Sequence, residues 1–166
     1  MKAKSFIPAI FAALLLASLH SVAFAAPPAG AVELKSIAEQ DVTVTENGKQ
    51  VSKRQPVKKA VPGDEVIYTT TFRNLISKPV GDIAVTNPLP NNTTYVAGSA
   101  FGENSVITFS VDGGKTFAAP GALKVKGADG ALRAALPADY THIRWVYQGA
   151  LAVGKTGSVG FHARIN

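Results

Sequence analysis

The sequence predicts an all-β fold, an immunoglobulin-like antiparallel β-sandwich of about 7–9 strands preceded by a cleaved signal peptide. Three observations carry this. Short runs alternate between two faces, as Val66, Tyr68, Thr70 and Phe72 do against Glu65, Ile67, Thr69, Thr71 and Arg73. Turn residues punctuate these runs at Asn47-Gly48, Pro62-Gly63-Asp64 and Asp112-Gly113-Gly114. No window shows helical periodicity of useful length.

Lys2 and Lys4 form a positive n-region, Phe6 to Phe24 is an apolar run, and Ala23-Phe24-Ala25 is a small-x-small cleavage site. Residues 1–25 are expected to be a secretory signal cut after Ala25. A retained membrane anchor is the competing reading. Pro8, Ser18, His20 and Ser21 interrupt the run, leaving its apolar core short for the roughly 20 residues of a span.

The chain has no Cys, hence no lipid-anchored cysteine and no disulfide staple. A mature chain of this length buries roughly two-thirds of its unfolded surface without one. Cysteine-free export suits a bacterial envelope, so the expected location is periplasmic or secreted. Lys2 and Lys4 leave with the signal, taking the formal charge from +6 to a mild +4. That permits contact with anionic lipid or polysaccharide and does not call for nucleic acid.

Residues 26–31 read as a short linker, in which Ala26-Pro27-Pro28-Ala29-Gly30 offers no residue suited to a core, and residues 32–166 as one domain. Val42–Glu46 and Lys49–Lys53 flank Asn47-Gly48, the strongest short hairpin signal, because both central positions of a type I′ turn need positive φ. Glu65 to Asn74 follows, with its Tyr68/Phe72 side expected inward. Ser77 to Gly81 crosses the surface. Asp82 to Asn87 is the next strand, with Ile83 and Val85 inward, ended by Pro88 and Pro90, which lack the ladder donor. Thr93 to Val96 follows, with the Tyr95 ring as an anchor.

Ile107, Phe109 and Val111 alternate in another strand. Residues 118–140 are rich in Gly, Ala and Pro; within them Ala131 to Leu136 reads as either one helical turn or a short edge strand. Thr141 to Gln148 places Ile143, Trp145 and Tyr147 on one face. The last strand, Ser158 to Ile165, places Val159, Phe161, Ala163 and Ile165 on one face and Ser158, His162 and Arg164 on the other.

Several ordered motifs carry a family resemblance: Val61-Pro62-Gly63-Asp64-Glu65-Val66-Ile67-Tyr68, Asn74, Val85-Thr86-Asn87-Pro88-Leu89-Pro90 and Thr94-Tyr95-Val96-Ala97-Gly98-Ser99. Over residues 32–166 the chain resembles small exported bacterial members of the conserved repeat domain family, a domain of unknown function, number eleven. Asn87 stands where many members carry Asp, which removes a carboxylate suited to a cation. The resemblance implies an immunoglobulin-like sandwich in exported or cell-surface proteins. It supplies no activity and no catalytic residue.

No catalytic, cofactor-binding or metal-binding residue is assigned. Ser110 to Phe117 resembles the Asp-box of sialidase-type propellers, a structural turn tied by its Asp. One box and five scattered mature Arg residues do not make such a glycoside hydrolase. His142 and His162 are both expected outward, close together if their strands pair. Without Cys or a fixed carboxylate they make a poor metal site. Asp64 and Glu65 are adjacent and so point to opposite faces, against acid–base cooperation.

The basic cluster at 53–59 (Lys53, Arg54, Lys58, Lys59) reads as an edge strand guarded by Lys and Pro, or as a contact for anionic envelope components. Asn91-Asn92-Thr93-Thr94 holds two overlapping glycosylation sequons. Lys35 with Asn74 or Asn166 is a weak candidate for an internal isopeptide bond. The expected function is a non-enzymatic exported envelope module that contacts another envelope protein, with a sheet edge as the docking surface. The alternative is a polysaccharide-binding module using Phe101, Tyr140 and Tyr147.

Overall fold

Val32 to Glu46 forms a single long strand, β1 (Val32–Glu46), in this computed structural model, which describes residues 28–166. The signal peptide and cleavage site expected in residues 1–25 lie outside the described residues. Asn47 and Gly48 take φ of 50° and 75°, the pair of positive values a type I′ turn requires, and return the chain as β2 (Lys49–Pro56).

Eleven further elements follow in chain order. They are β3 (Glu65–Asn74), β4 (Ala84–Pro88), β5 (Thr93–Tyr95), β6 (Phe101–Gly102), β7 (Ser105–Ser110), β8 (Lys124–Lys126), β9 (Leu132–Ala134), β10 (His142–Tyr147) and β11 (Thr156–Ile165), with one 3₁₀ turn before β8 and a second before β10. All pairings are antiparallel. One sheet runs β2-β1-β3-β11-β5, with β6 also on β11; the second runs β4-β10-β7; β8 and β9 make a small hairpin. The fold is all-β, as the alternation predicts.

The two larger sheets meet over one core. Phe72, Val159, Phe161 and Ala163 come from the first, and Val85, Phe109, Ile143 and Trp145 from the second. Trp145 and Phe161 stack across the layers with centroids 6.2 Å apart, and Phe72 meets the Tyr147 ring edge-on at 5.5 Å. Each such side chain stabilises by about 1.5–3 kcal/mol on full burial, so these rings dominate the packing.

Ile83 and Val85 are buried, and Tyr95 is anchored with its hydroxyl accepting from the Ala100 amide at 3.0 Å. Tyr68 lies on the inward face and stacks on Phe161 at 5.2 Å.

Two local expectations change, and one open choice is resolved. Ala31, assigned to the linker, is buried, and its carbonyl accepts from the Leu75 amide at 2.9 Å, so the domain is anchored before β1 begins. Ile67, on the face opposite Tyr68, is buried too, beside Gln40, Asp41 and Val42 where β1 parts from β3. Of the two readings of Ala131 to Leu136, the strand is the one adopted, because Leu132–Ala134 finds a partner in β8.

Candidate functional site

The residues that looked chemical are occupied in structure. Asp112 Oδ1 accepts from the Lys115 and Thr116 amides at 3.1 and 3.0 Å and from Ser110 Oγ at 2.7 Å. Its Oδ2 accepts from Thr116 Oγ1 at 2.6 Å. These donors hold the carboxyl well below the usual carboxylate range, Thr116 contributing most. Ser110 Oγ closes the turn by accepting from the Gly114 amide at 2.9 Å. This is the tied turn that the Asp-box resemblance implies.

His142 and His162 do not approach one another through strand pairing: β10 belongs to one sheet and β11 to the other. His142 packs beside Gly114, and its Nδ1 lies 3.2 Å from Thr141 Oγ1. His162 does meet a fixed carboxylate, contrary to the sequence expectation. Its Nδ1–H donates to Glu65 Oε1 at 2.6 Å, with Arg164 3.7 Å from Oε2 of the same carboxylate. The register explains this, since Glu65 lies opposite Arg164 and Ile67 opposite His162 on neighbouring strands. Among the described residues no group of three or more His, Cys, Asp or Glu is placed to hold a metal. Asp64 is spent on the turn before β3, accepting from the Val61 amide at 2.9 Å.

The three rings considered for polysaccharide stacking are separated. Tyr147 packs on Phe72, Phe101 lies over Gly160 of β11, and Tyr140 packs on Phe109 at 4.7 Å and Tyr95 at 5.9 Å. Tyr95, Phe109 and Tyr140, with Ile107, Pro120 and Pro137, line an apolar cleft of about 330 Å³. Burial pushes the Tyr140 phenol up from its ordinary value.

Lys35 sits opposite Thr71 in the ladder, whereas Asn74 is buried three residues further along β3. The Asn74 amide is fully engaged: Nδ2 donates to the Lys78 and Leu151 carbonyls at 2.9 Å each, and Oδ1 accepts from the Ile76 amide at 2.9 Å. Asn166 Oδ1 accepts from Thr94 Oγ1 at 2.8 Å. Asn74 is thus a clasp between loops, a role that its sequence position did not reveal.

What distinguishes the surface is its strand edges. The outer edge of β2 carries Lys49, Lys53, Arg54 and Pro56, guards against pairing with another chain. This supports the edge-strand reading of the 53–59 cluster. Lys53 pairs with Glu46, and Arg54 binds Asp41 through two bonds of 2.9 Å, which lowers the Asp41 pKa. The β7 edge is covered by Ala118, which exchanges two hydrogen bonds with Phe109. On the other free edges, β4 is five residues ending in Pro88 and β5 is three residues.

The outer half of β1 is different. Its ladder with β3 ends at Glu39↔Ile67, while its ladder with β2 continues to Glu46↔Lys49. The Val57 amide donates to the Ala38 carbonyl, so even-numbered residues of β1 bond to β2. The N–H and C=O groups of Asp41, Thr43 and Thr45 therefore face the other edge, where no strand pairs among the described residues. Val42, Val44 and Val51 lie half-buried on one face of this ribbon. The edge is open because a strand of 15 residues cannot be covered by a neighbour of 10.

No described helix is long and apolar enough to cross a membrane. No family model, curated protein or solved structure matches the chain.

Proposed function

We propose that this chain is an exported, non-enzymatic immunoglobulin-like module of the bacterial cell envelope that acts by protein–protein contact. A partner lays an extended segment along the open edge of β1. The edge itself is the observation that carries this reading: Asp41, Thr43 and Thr45 present backbone donors and acceptors with no Lys, Pro or bulge to guard them.

Support comes from the leader, from the two antiparallel sheets meeting over an aromatic core, and from the ordered motifs shared with the conserved repeat domain family. Polysaccharide stacking would need rings side by side, and Phe101, Tyr140 and Tyr147 lie apart.

The test is a photo-reactive amino acid at position 43 of the exported protein in living cells. A crosslinked protein adduct in the envelope fraction that disappears with Thr45→Pro is expected. No adduct at position 43, or one indifferent to Thr45→Pro, would refute contact at this edge.

A further inference from the structure

We infer that the occupant of the β1 edge is a second copy of this chain, the two β1 strands pairing antiparallel about a two-fold axis beside Val44. The inference rests on the reading of β1 as a docking edge and names its partner.

Self-complementarity is the first argument. With Val44 opposite its own copy, Thr43 lies opposite Thr45 and Thr45 opposite Thr43. The N–H and C=O groups of both threonines already point outward, so each pair exchanges two bonds, four in all. Val44 then faces Val44 at a non-hydrogen-bonded pair, where side chains approach most closely and β-branched residues pack well.

Charge is the second. In this register Val42 faces Glu46 and Asp41 faces Asn47, so no like charges oppose one another. The two carboxylates are already engaged within each copy, Glu46 by Lys53 and Asp41 by Arg54. An edge meant for a strongly basic or acidic partner would leave such groups free.

The third argument is steric. The same register brings each copy's Asn47-Gly48 turn towards the gap of about 290 Å³ where β1 leaves β3, lined by Gln40, Asp41, Val42, Asp64, Glu65 and Ile67. That gap provides space for the incoming turn. The fourth is stability: a lone two-stranded ribbon is marginal in water, and self-pairing makes it four-stranded. Guards on the β2 edge limit growth beyond that, so the assembly closes as a dimer. Such an interface is small, in the class below about 1,200 Å² that dissociates readily.

Sedimentation of the mature protein over a wide concentration range tests this. Reversible monomer–dimer exchange is expected. Val44→Lys and Val44→Glu should each weaken dimerisation at least tenfold, while an equal mixture of the two should restore it as a mixed pair. Circular dichroism verifies that both variants keep the β spectrum. A monomer at every concentration, or a dimer unchanged by both variants, overturns self-pairing. If the protein is monomeric while position 43 crosslinks a different envelope protein, self-pairing falls and the edge reading stands. If position 43 crosslinks nothing, both fall.

Discussion

Asn87 on β4 reaches across the two sheets to Thr70 on β3, its Nδ2 donating to Thr70 Oγ1 at 2.9 Å. Thr70 Oγ1 also lies 2.8 Å from Ser36 Oγ on β1. With Asn87 as donor, the Thr70 hydroxyl is free to give its own proton to Ser36, and the chain of donors runs from the second sheet to the first. An Asp at this position could only accept when ionised. It would reverse that direction. Asn87 thus serves as a polar tie between layers.

Loss of that tie should be measurable. Asn87→Ala is expected to lower the unfolding free energy by about 1–2 kcal/mol in urea titrations. A double-mutant cycle with Thr70→Val should give a coupling of roughly 0.5 kcal/mol or more. Strict additivity would show that the two groups act separately.

Gly160 sits where a side chain has no room. A Cβ there would stand 2.5 Å from the Tyr68 carbonyl oxygen and would also meet the Phe101 ring. Gly160→Ala is expected to destabilise by about 1–3 kcal/mol, and adding Phe101→Ala should recover only part of that, because the backbone contact remains. Full recovery in thermal unfolding would place the whole conflict on the Phe101 ring.

Trp145 is 1% exposed, yet its Nε1 has no hydrogen-bond partner among the described residues. Trp145→Ala should cost about 3–5 kcal/mol through the cavity it opens. Trp145→Phe keeps much of the ring and removes an unsatisfied donor, so its expected cost is below about 1.5 kcal/mol. Equal costs for the two in denaturant titrations would mean that the indole N–H has a partner.

Acid should loosen two surface turns. Arg133 holds Asp139 down to about 2 from the ordinary 3.8, with the Leu136 amide adding to the effect. A carboxylate depressed on folding contributes stability that is full above its unfolded pKa and is lost as pH falls through the folded one. The Asp139 contribution is therefore expected to decline between about 4 and about 2. Arg133→Gln should flatten this part of the stability-versus-pH curve, whereas an unchanged slope would remove Arg133 as the cause. Asp112 behaves in the same sense, with its loss extending to lower pH.

Alternation revealed the strands whose two faces differ, β3, β10 and β11, because one side of each is core and the other, Ile67 of β3 apart, is not. The Asn47-Gly48 turn was equally plain, since few residue pairs accept two positive φ values. The stretch from residue 118 to 140 was not. Gly, Ala and Pro carry little facial contrast, and β8 and β9 exist chiefly because each completes the other's ladder. Pairing across sheets was also hidden, so His142 and His162 looked like possible neighbours when their strands lie in different layers. The Glu65 partner of His162 is 97 residues away in sequence, and only the β3–β11 register brings the two together. The open edge of β1 was not legible either: only Val42–Glu46 reads as strand, and the mismatch of 15 residues against 10 emerges from the ladders.

Amide hydrogen exchange resolved at residues 41 to 45 probes that edge most directly. In dilute protein, Val42 and Val44 amides bonded to β2 should exchange slowly, and Asp41, Thr43 and Thr45 amides quickly. Raising the concentration should slow Thr43 and Thr45 selectively. Protection of all five amides in dilute protein would contradict an open edge. Rapid exchange of Thr43 and Thr45 at every concentration would contradict its occupation by a second copy.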